Sequence, residues 1–179
     1  MINKNKKIKD NRNRPIVLIA NSSTYLYHYR KLLIKNLSKH KINVIAVSPT
    51  DKDTKLLSKY CVHIPWRINR QYDSNIFSFF IALLRLFFII RTLKPRLIHS
   101  HNMKVNLLSS IISAILNIKL IISITGLGRL STSKNYFSRL FFDVILKLIL
   151  LISLINKNYK TNNRMERRVK IILQNKNDL

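Results

Sequence analysis

Acidic side chains are scarce in this chain: seven Asp and Glu stand against thirty-three Lys and Arg, a formal net charge of +26 over 179 residues. Such an imbalance leaves few carboxylates for a metal centre. It calls instead for a polyanionic partner, whether nucleic acid, an anionic membrane surface or a phosphate-bearing substrate. Cysteine is limited to Cys61, which excludes an intramolecular disulfide. Beside Val62 it reads as a small buried apolar residue, so nothing argues for secretion and the cytoplasmic side is expected. No secretory leader is expected either, because the basic residues from Lys4 to Arg14 lead into only five apolar ones, Ile16 to Ala20, too few for a signal sequence. Residues 1–14 read as a basic, disordered tail. Long uninterrupted apolar runs are absent as well. Arg85 breaks the run from Ile76 to Leu93, and Arg139, Asp143 and Lys147 break the one from Phe137 to Ile155, so neither suits a spanning helix of about 20 residues.

What is present is a globular domain. Hydrophobic residues make up 47% of the chain, too many for disorder, and its length suits one domain with its own core. Ile16-Val-Leu-Ile-Ala20 is a continuous apolar run after Pro15, the pattern of a central strand buried on both faces. Asn21-Ser-Ser-Thr24 then supplies a loop and a helix N-cap. Leu26, Tyr29, Leu33, Ile34 and Leu37 follow at helical spacing, and Val44 to Val47 forms a second strand. Strand, helix and strand within the first fifty residues predict a parallel βαβ unit. Val62 to Pro65 reads as a third strand, and His63 as a strand residue rather than a ligand. Ile76 to Leu93 reads as a helix packed on the sheet with its basic flank outward. Beyond it we expect a strand into His99, a helix from about Lys104 to Leu116, and a strand from Lys119 to Ile124. Phe137 to Ile155 suits a further helix, Asn156 to Arg168 a basic loop, and Val169 to Leu173 a last strand. The fold class is therefore α/β, a Rossmann-like parallel sheet of six strands with helices on both faces.

Three stretches carry chemistry. His99-Ser-His101 stands where a strand hands over to a helix, the rim of a binding crevice in an open parallel sheet. An imidazole there can donate or accept, and the helix N-terminus favours anions such as phosphate. The alternative is two partly solvated loop residues. We take the two rings to point to opposite faces, with no evident third ligand, so no metal is expected. Asp51-Lys-Asp53 resembles a metal-binding pair of carboxylates, but helix capping explains it better. Both glycines of the chain sit in Thr125-Gly-Leu-Gly128, which is either a tight turn or a place where backbone comes close to a ligand.

Taken together, Asn21-Ser-Ser-Thr-Tyr-Leu-Tyr-His-Tyr-Arg30, His99-Ser-His101 with Lys104, Thr125-Gly-Leu-Gly128 and Ile172-Leu-Gln-Asn175 occur in an order that resembles the N-terminal domain of family 4 glycosyltransferases. The subgroup is the one that builds bacterial surface polysaccharides and lipid-linked glycans, and the resemblance covers residues 15–179. It implies one half of a GT-B fold, in which a C-terminal half binds most of a nucleotide-sugar donor and the N-terminal half receives the acceptor. Carried over residue by residue, the histidine that touches the donor sugar falls on His101, and the acceptor loop on Asn21, Ser22, Ser23 and Thr24. The fifth-strand loop falls on Thr125, Gly126 and Gly128, with His99 and Lys104 beside the histidine. The resemblance also implies retention at the anomeric carbon, no metal and no cofactor. Partners would be the nucleotide-sugar, a lipid-linked glycan acceptor, the anionic inner face of the cell membrane and a possible second subunit.

The donor-binding half is not found within residues 1–179, so a truncated chain or one subunit of a split enzyme is expected. The competing class is a basic nucleic-acid-binding or membrane-surface protein without catalysis. No nucleic-acid reader motif and no array of aromatics for single strands supports the nucleic-acid version. On this reading the chain alone transfers no sugar, because a half-site loses both positioning and electrostatic stabilisation of the donor. Purified chain supplied with nucleotide-sugars and polyprenyl-phosphate-linked acceptors should be inactive until a matching C-terminal half is added. Turnover without that half would contradict the expectation.

Overall fold

The computed structural model describes residues 14–68, 76–124, 144, 147–149, 151–152, 159–161, 164–166 and 169–173. The basic tail before Arg14, the Thr125 to Gly128 loop and most of Phe137 to Ile155 lie outside them. Apolar runs without helical spacing become strands. β1 (Ile16–Ile19) and β2 (Val44–Ser48) are buried along their whole length. β3 (Val62–Pro65) is a half-exposed edge strand, and Pro65, which has no N–H to give a ladder, ends it. β4 (Leu97–His101), β5 (Lys119–Ile124) and β8 (Val169–Leu173) complete a six-stranded sheet of order β3-β2-β1-β4-β5-β8. The β1–β2, β2–β3 and β5–β8 pairs run parallel. The expected Rossmann-like α/β class is what forms.

Residues Met1–Ile98 and His99–Leu179 make two compact units. In the first, α1 (Ser23–Lys39) buries Leu26 and Ile34 against Ile16, Leu18, Val44, Ala46 and Leu57, the last from the single turn of α2 (Thr54–Leu57). α3 (Ile76–Leu93) buries Ala82, Leu86 and Ile90, one residue per turn, and its Ala82 carbonyl accepts the indole N–H of fully buried Trp66 at 3.1 Å. Its outer face differs from expectation. Arg85 and Arg91 are exposed, but so are Phe80, Leu84 and Phe88, so the flank is apolar as well as basic. Among the described residues no helix is long and apolar enough to cross a membrane.

In the second unit, α4 (Met103–Leu116) buries Val105, Leu108 and Ile112 together with Asn106, Ser109 and Ser113. The basic loop expected at Asn156 to Arg168 is corrected in part. It holds two short antiparallel strands, β6 (Tyr159–Thr161) and β7 (Arg164–Glu166), because backbone pairing at Thr161 and Arg164 needs no apolar periodicity to announce it.

Glycine scarcity leaves a mark at helix ends and turns. Lys41, Lys94, Asn102 and Asn117 all take positive φ, a region where a Cβ costs about 1–2 kcal/mol and Asn is better tolerated than Lys. Lys94, at φ 45°, closes α3 by donating its N–H to the Ile90 carbonyl at 3.0 Å. Lys94→Gly is therefore expected to stabilise the chain by about 0.5–1 kcal/mol in urea unfolding. Lys94→Ala keeps the Cβ and should not. Equal stabilisation by both substitutions would show that positive φ is not the cause.

Candidate functional site

Each unit carries its own polar cluster at strand carboxyl ends. In the first, Ser23 begins α1 fully buried. Its Oγ donates to the Pro49 carbonyl at 2.7 Å, accepts from Thr54 Oγ1 at 3.1 Å, and lies 2.8 Å from Ser48 Oγ and 3.3 Å from His63 Nε2. His63 Nε2 is also 3.1 Å from the Ser48 carbonyl oxygen. A carbonyl only accepts, so Nε2 carries the proton. Burial holds this imidazole below its ordinary pKa, against the opposing pull of the Ser48 carbonyl and of the Asp51 charge.

Asp51 fixes the same loop from outside. Its Oδ2 accepts from Ser22 Oγ at 3.0 Å and from the Thr24 N–H at 3.1 Å, while Oδ1 accepts from the Asp53 N–H at 3.2 Å. Ser22 in turn caps α1 by accepting from the Tyr25 N–H at 3.2 Å. The capping expected of Asp51-Lys-Asp53 is thus real but redirected. Asp53 holds the N-cap position of α2 without a side-chain cap bond, and Asp51 serves the first turn of α1, where a carboxylate meets the positive end of the helix dipole. Asp53 lies buried with Oδ2 3.5 Å from His28 Nε2, within ion-pair reach but too far for a hydrogen bond. Asn21 and Thr24 stay half-buried at the rim. Asp51 and His63 are the residues that sequence reasoning left out of this cluster; the signal available was their place beside the carboxyl ends of short strands.

In the second unit His99 and His101 belong to β4 rather than to a loop, and both are buried, His101 completely. The expectation of opposite faces fails. Side chains two residues apart in a strand share a face, and the two rings stand 4.3 Å apart between centroids, tilted by 46°. His99 Nε2 lies 2.8 Å from Ser123 Oγ on β5, and Asn106 Nδ2 donates to the Ser123 carbonyl at 3.1 Å. Asn102, at φ 74°, turns the chain from β4 into α4, whose first turn holds Lys104 and no acidic residue. Such a helix start favours a neutral or anionic ligand. Thr125, Gly126 and Gly128 lie outside the described residues. Among the described residues no three His, Cys, Asp or Glu side chains group as a metal site. Burial pushes the Cys61 thiol up to about 11, so it is no nucleophile near neutrality.

The lowered His63 pKa has a consequence for stability. A native imidazole that titrates below 6.5 binds fewer protons than the unfolded one, so its stabilisation is complete above pH 6.5 and is lost as pH falls from there towards the native value. His63→Gln keeps a side-chain donor but cannot titrate. The drop in unfolding midpoint between pH 7.5 and pH 5 is expected to be about one-half or less of wild type if His63 dominates it. An unchanged drop would remove His63 from the account.

Comparison with known proteins bears on the family and the fold. The sequence matches the model of the glycosyl transferase 4-like family over residues 15–158. No curated protein matches it. Among solved structures, a glycosyltransferase from Rickettsia africae ESF-5 superposes with a TM-score of 0.55 at 17% identity, covering 75% of this chain and 35% of that one. HepE from Anabaena, solved in complex with UDP, gives a TM-score of 0.50 at 14% identity, covering 78% and 35%. At such identities the likeness establishes the fold, the Rossmann-like half of a GT-B architecture, and the chain spans about a third of the length of either protein. The family match runs from the residue before β1 to the residue before β6 and takes in Asn21 to Thr24, His99 and His101, and on it this chain belongs to the glycosyl transferase 4-like family.

Proposed function

We propose that the chain supplies the acceptor-side half of a retaining glycosyltransferase that extends a lipid-linked or polysaccharide acceptor in cell-surface glycan synthesis, at the inner face of the membrane. The donor is a nucleotide-sugar, a class consistent with the UDP held by HepE, and its diphosphate is bound mainly by a further domain. The observation that carries the reading is His101. It ends β4 wholly buried, its ring packed on His99, which is anchored to Ser123, and α4 starts directly after it without a side-chain cap bond from Asn102.

The chemistry follows from that placement. A buried imidazole at a strand end offers one strong hydrogen bond to a sugar hydroxyl or backbone carbonyl without competition from water, and it holds the donor's ring in one orientation while the glycosidic bond breaks. His99 positions it. Lys104, in the first turn of α4, contributes positive charge where phosphate would lie. In the other unit Asn21 and Thr24 are assigned the acceptor contacts. Ser22 and Ser23 hold those two in place, since their hydroxyls are engaged by Asp51, Ser48, Pro49 and His63. Thr125, Gly126 and Gly128 are assigned to the donor-side loop by the family resemblance alone. The reaction so described needs no metal and no cofactor.

Because His101 is fully buried, truncation to Ala would open a cavity, and His101→Gln is the better variant. In a transferase completed with a donor-binding half, His101→Gln is expected to lower turnover by about 100-fold or more while the unfolding midpoint of the chain stays within a few degrees of wild type. Full turnover in the variant, or a loss of folding that accounts for the loss of turnover, would overturn the assignment.

A further inference from the structure

The reading above brings the chain to a membrane but leaves the contact face open, and α3 supplies it. The helix contains no acidic residue. Phe80, Leu84 and Phe88 are exposed by 53%, 55% and 61%, and their spacing of one turn each lines them along a single face. Arg85 and Arg91 are exposed on the same helix. A face of this kind, aromatic and leucine side chains with arginines beside them, is suited to lie in the plane of a bilayer surface rather than to cross it.

The face runs into a cavity. Phe88 also lines a space of about 960 Å³ at the carboxyl ends of β2 and β3, shared with Arg67, Arg85, Trp66, Ile89 and Thr50. Among the described residues no carboxylate lines it. Two arginines lining one cavity suit a phosphate, whose oxygens accept paired N–H donors in the fork geometry that arginine presents. The remaining wall is largely apolar, matching a hydrocarbon chain rather than a sugar or a nucleobase edge. A soluble phosphate would use the arginines and leave the phenylalanines in water; a phosphate-bearing lipid uses both.

We propose that α3 docks on an anionic bilayer, with Phe80, Leu84 and Phe88 at the acyl boundary and the Arg67–Arg85 cavity holding the phosphate of a membrane lipid. The charge of the whole chain, +26, selects an anionic surface over a neutral one. The proposal rests on the membrane-associated part of the function proposed above, and it is read without any sugar transfer.

The experiment is flotation of the full chain with phosphatidylcholine vesicles, with and without phosphatidylglycerol. Wild type should float with the anionic vesicles. The Phe80→Ser, Phe88→Ser double variant should bind them about tenfold less or worse, whereas Leu32→Ser, at a side chain 73% exposed on α1, should stay within about twofold. Arg67→Gln with Arg85→Gln should weaken binding more than Lys39→Gln with Lys59→Gln, which removes the same charge from another exposed surface. Circular dichroism confirms that each variant is folded. Equal loss from the Leu32 variant, or no loss from the phenylalanine pair, overturns the docking face. Equal effects of the two charge pairs overturn the lipid site. Preference for RNA over vesicles, unaffected by the phenylalanine pair, overturns both. In a transferase completed with a donor-binding half, transfer to a short-chain soluble acceptor should persist in the phenylalanine variant, so a failed docking face and a failed catalytic reading give different results.

Discussion

A strand buried on both faces keeps water from its own length, and this constraint shapes the first unit. β1 and β2 are dry throughout, so the polar groups where they stop must find partners within the protein. Ser23, Ser48, Thr54 and His63 satisfy one another there, and Asp51 satisfies the first turn of α1. The result is a loop after β1 whose backbone and two of whose hydroxyls are held from within. A loop fixed in that way can present Asn21 and Thr24 in one orientation, which is what the proposed acceptor role requires of them.

The shortage of carboxylates extends the same logic to the surface. Asp51 and Asp53 are both engaged inside the first unit, with a helix terminus and with His28. They are therefore poorly placed to neutralise the exposed lysines and arginines around them. With a net charge of +26, the compensating negative charge has to come from outside the chain, and a phosphate-rich membrane surface is the source proposed above. The exposed aromatic face of α3 distinguishes this from a purely electrostatic attraction, which would need no apolar side chains.

Much of the fold is legible in the sequence because its strands are apolar runs with clear punctuation. Pro15, Pro49, Pro65 and Pro95 stand at or beside strand boundaries, and the limits of α3, β5 and β8 coincide with those read from the residues alone. Other features depend on tertiary placement and leave no local trace. The antiparallel pair at Tyr159–Thr161 and Arg164–Glu166 hides in a polar stretch because its order comes from backbone bonds. Asp51 caps a helix that begins 28 residues before it, a partnership that spacing cannot announce; the helix is α1, starting at Ser23. The shared face of His99 and His101 is legible from strand geometry and calls only for counting by twos. The apolar outer face of α3 looks, in sequence, like more core, since a nearly uniform apolar run does not say which side is covered.

The central claim is that the loop after β1, with Asn21 and Thr24 at its rim, is the acceptor side of a glycosyltransferase. A photo-crosslinking measurement reaches it most directly. A polyprenyl-phosphate-linked sugar with a photoreactive group on its first residue is irradiated with the completed transferase, and the labelled peptides are identified by mass spectrometry. Labelling concentrated on the peptide that contains Asn21 to Thr24, and suppressed by unmodified acceptor, is the predicted result. Labelling spread over lysine-rich surface without competition, or absent from that peptide, would contradict the account.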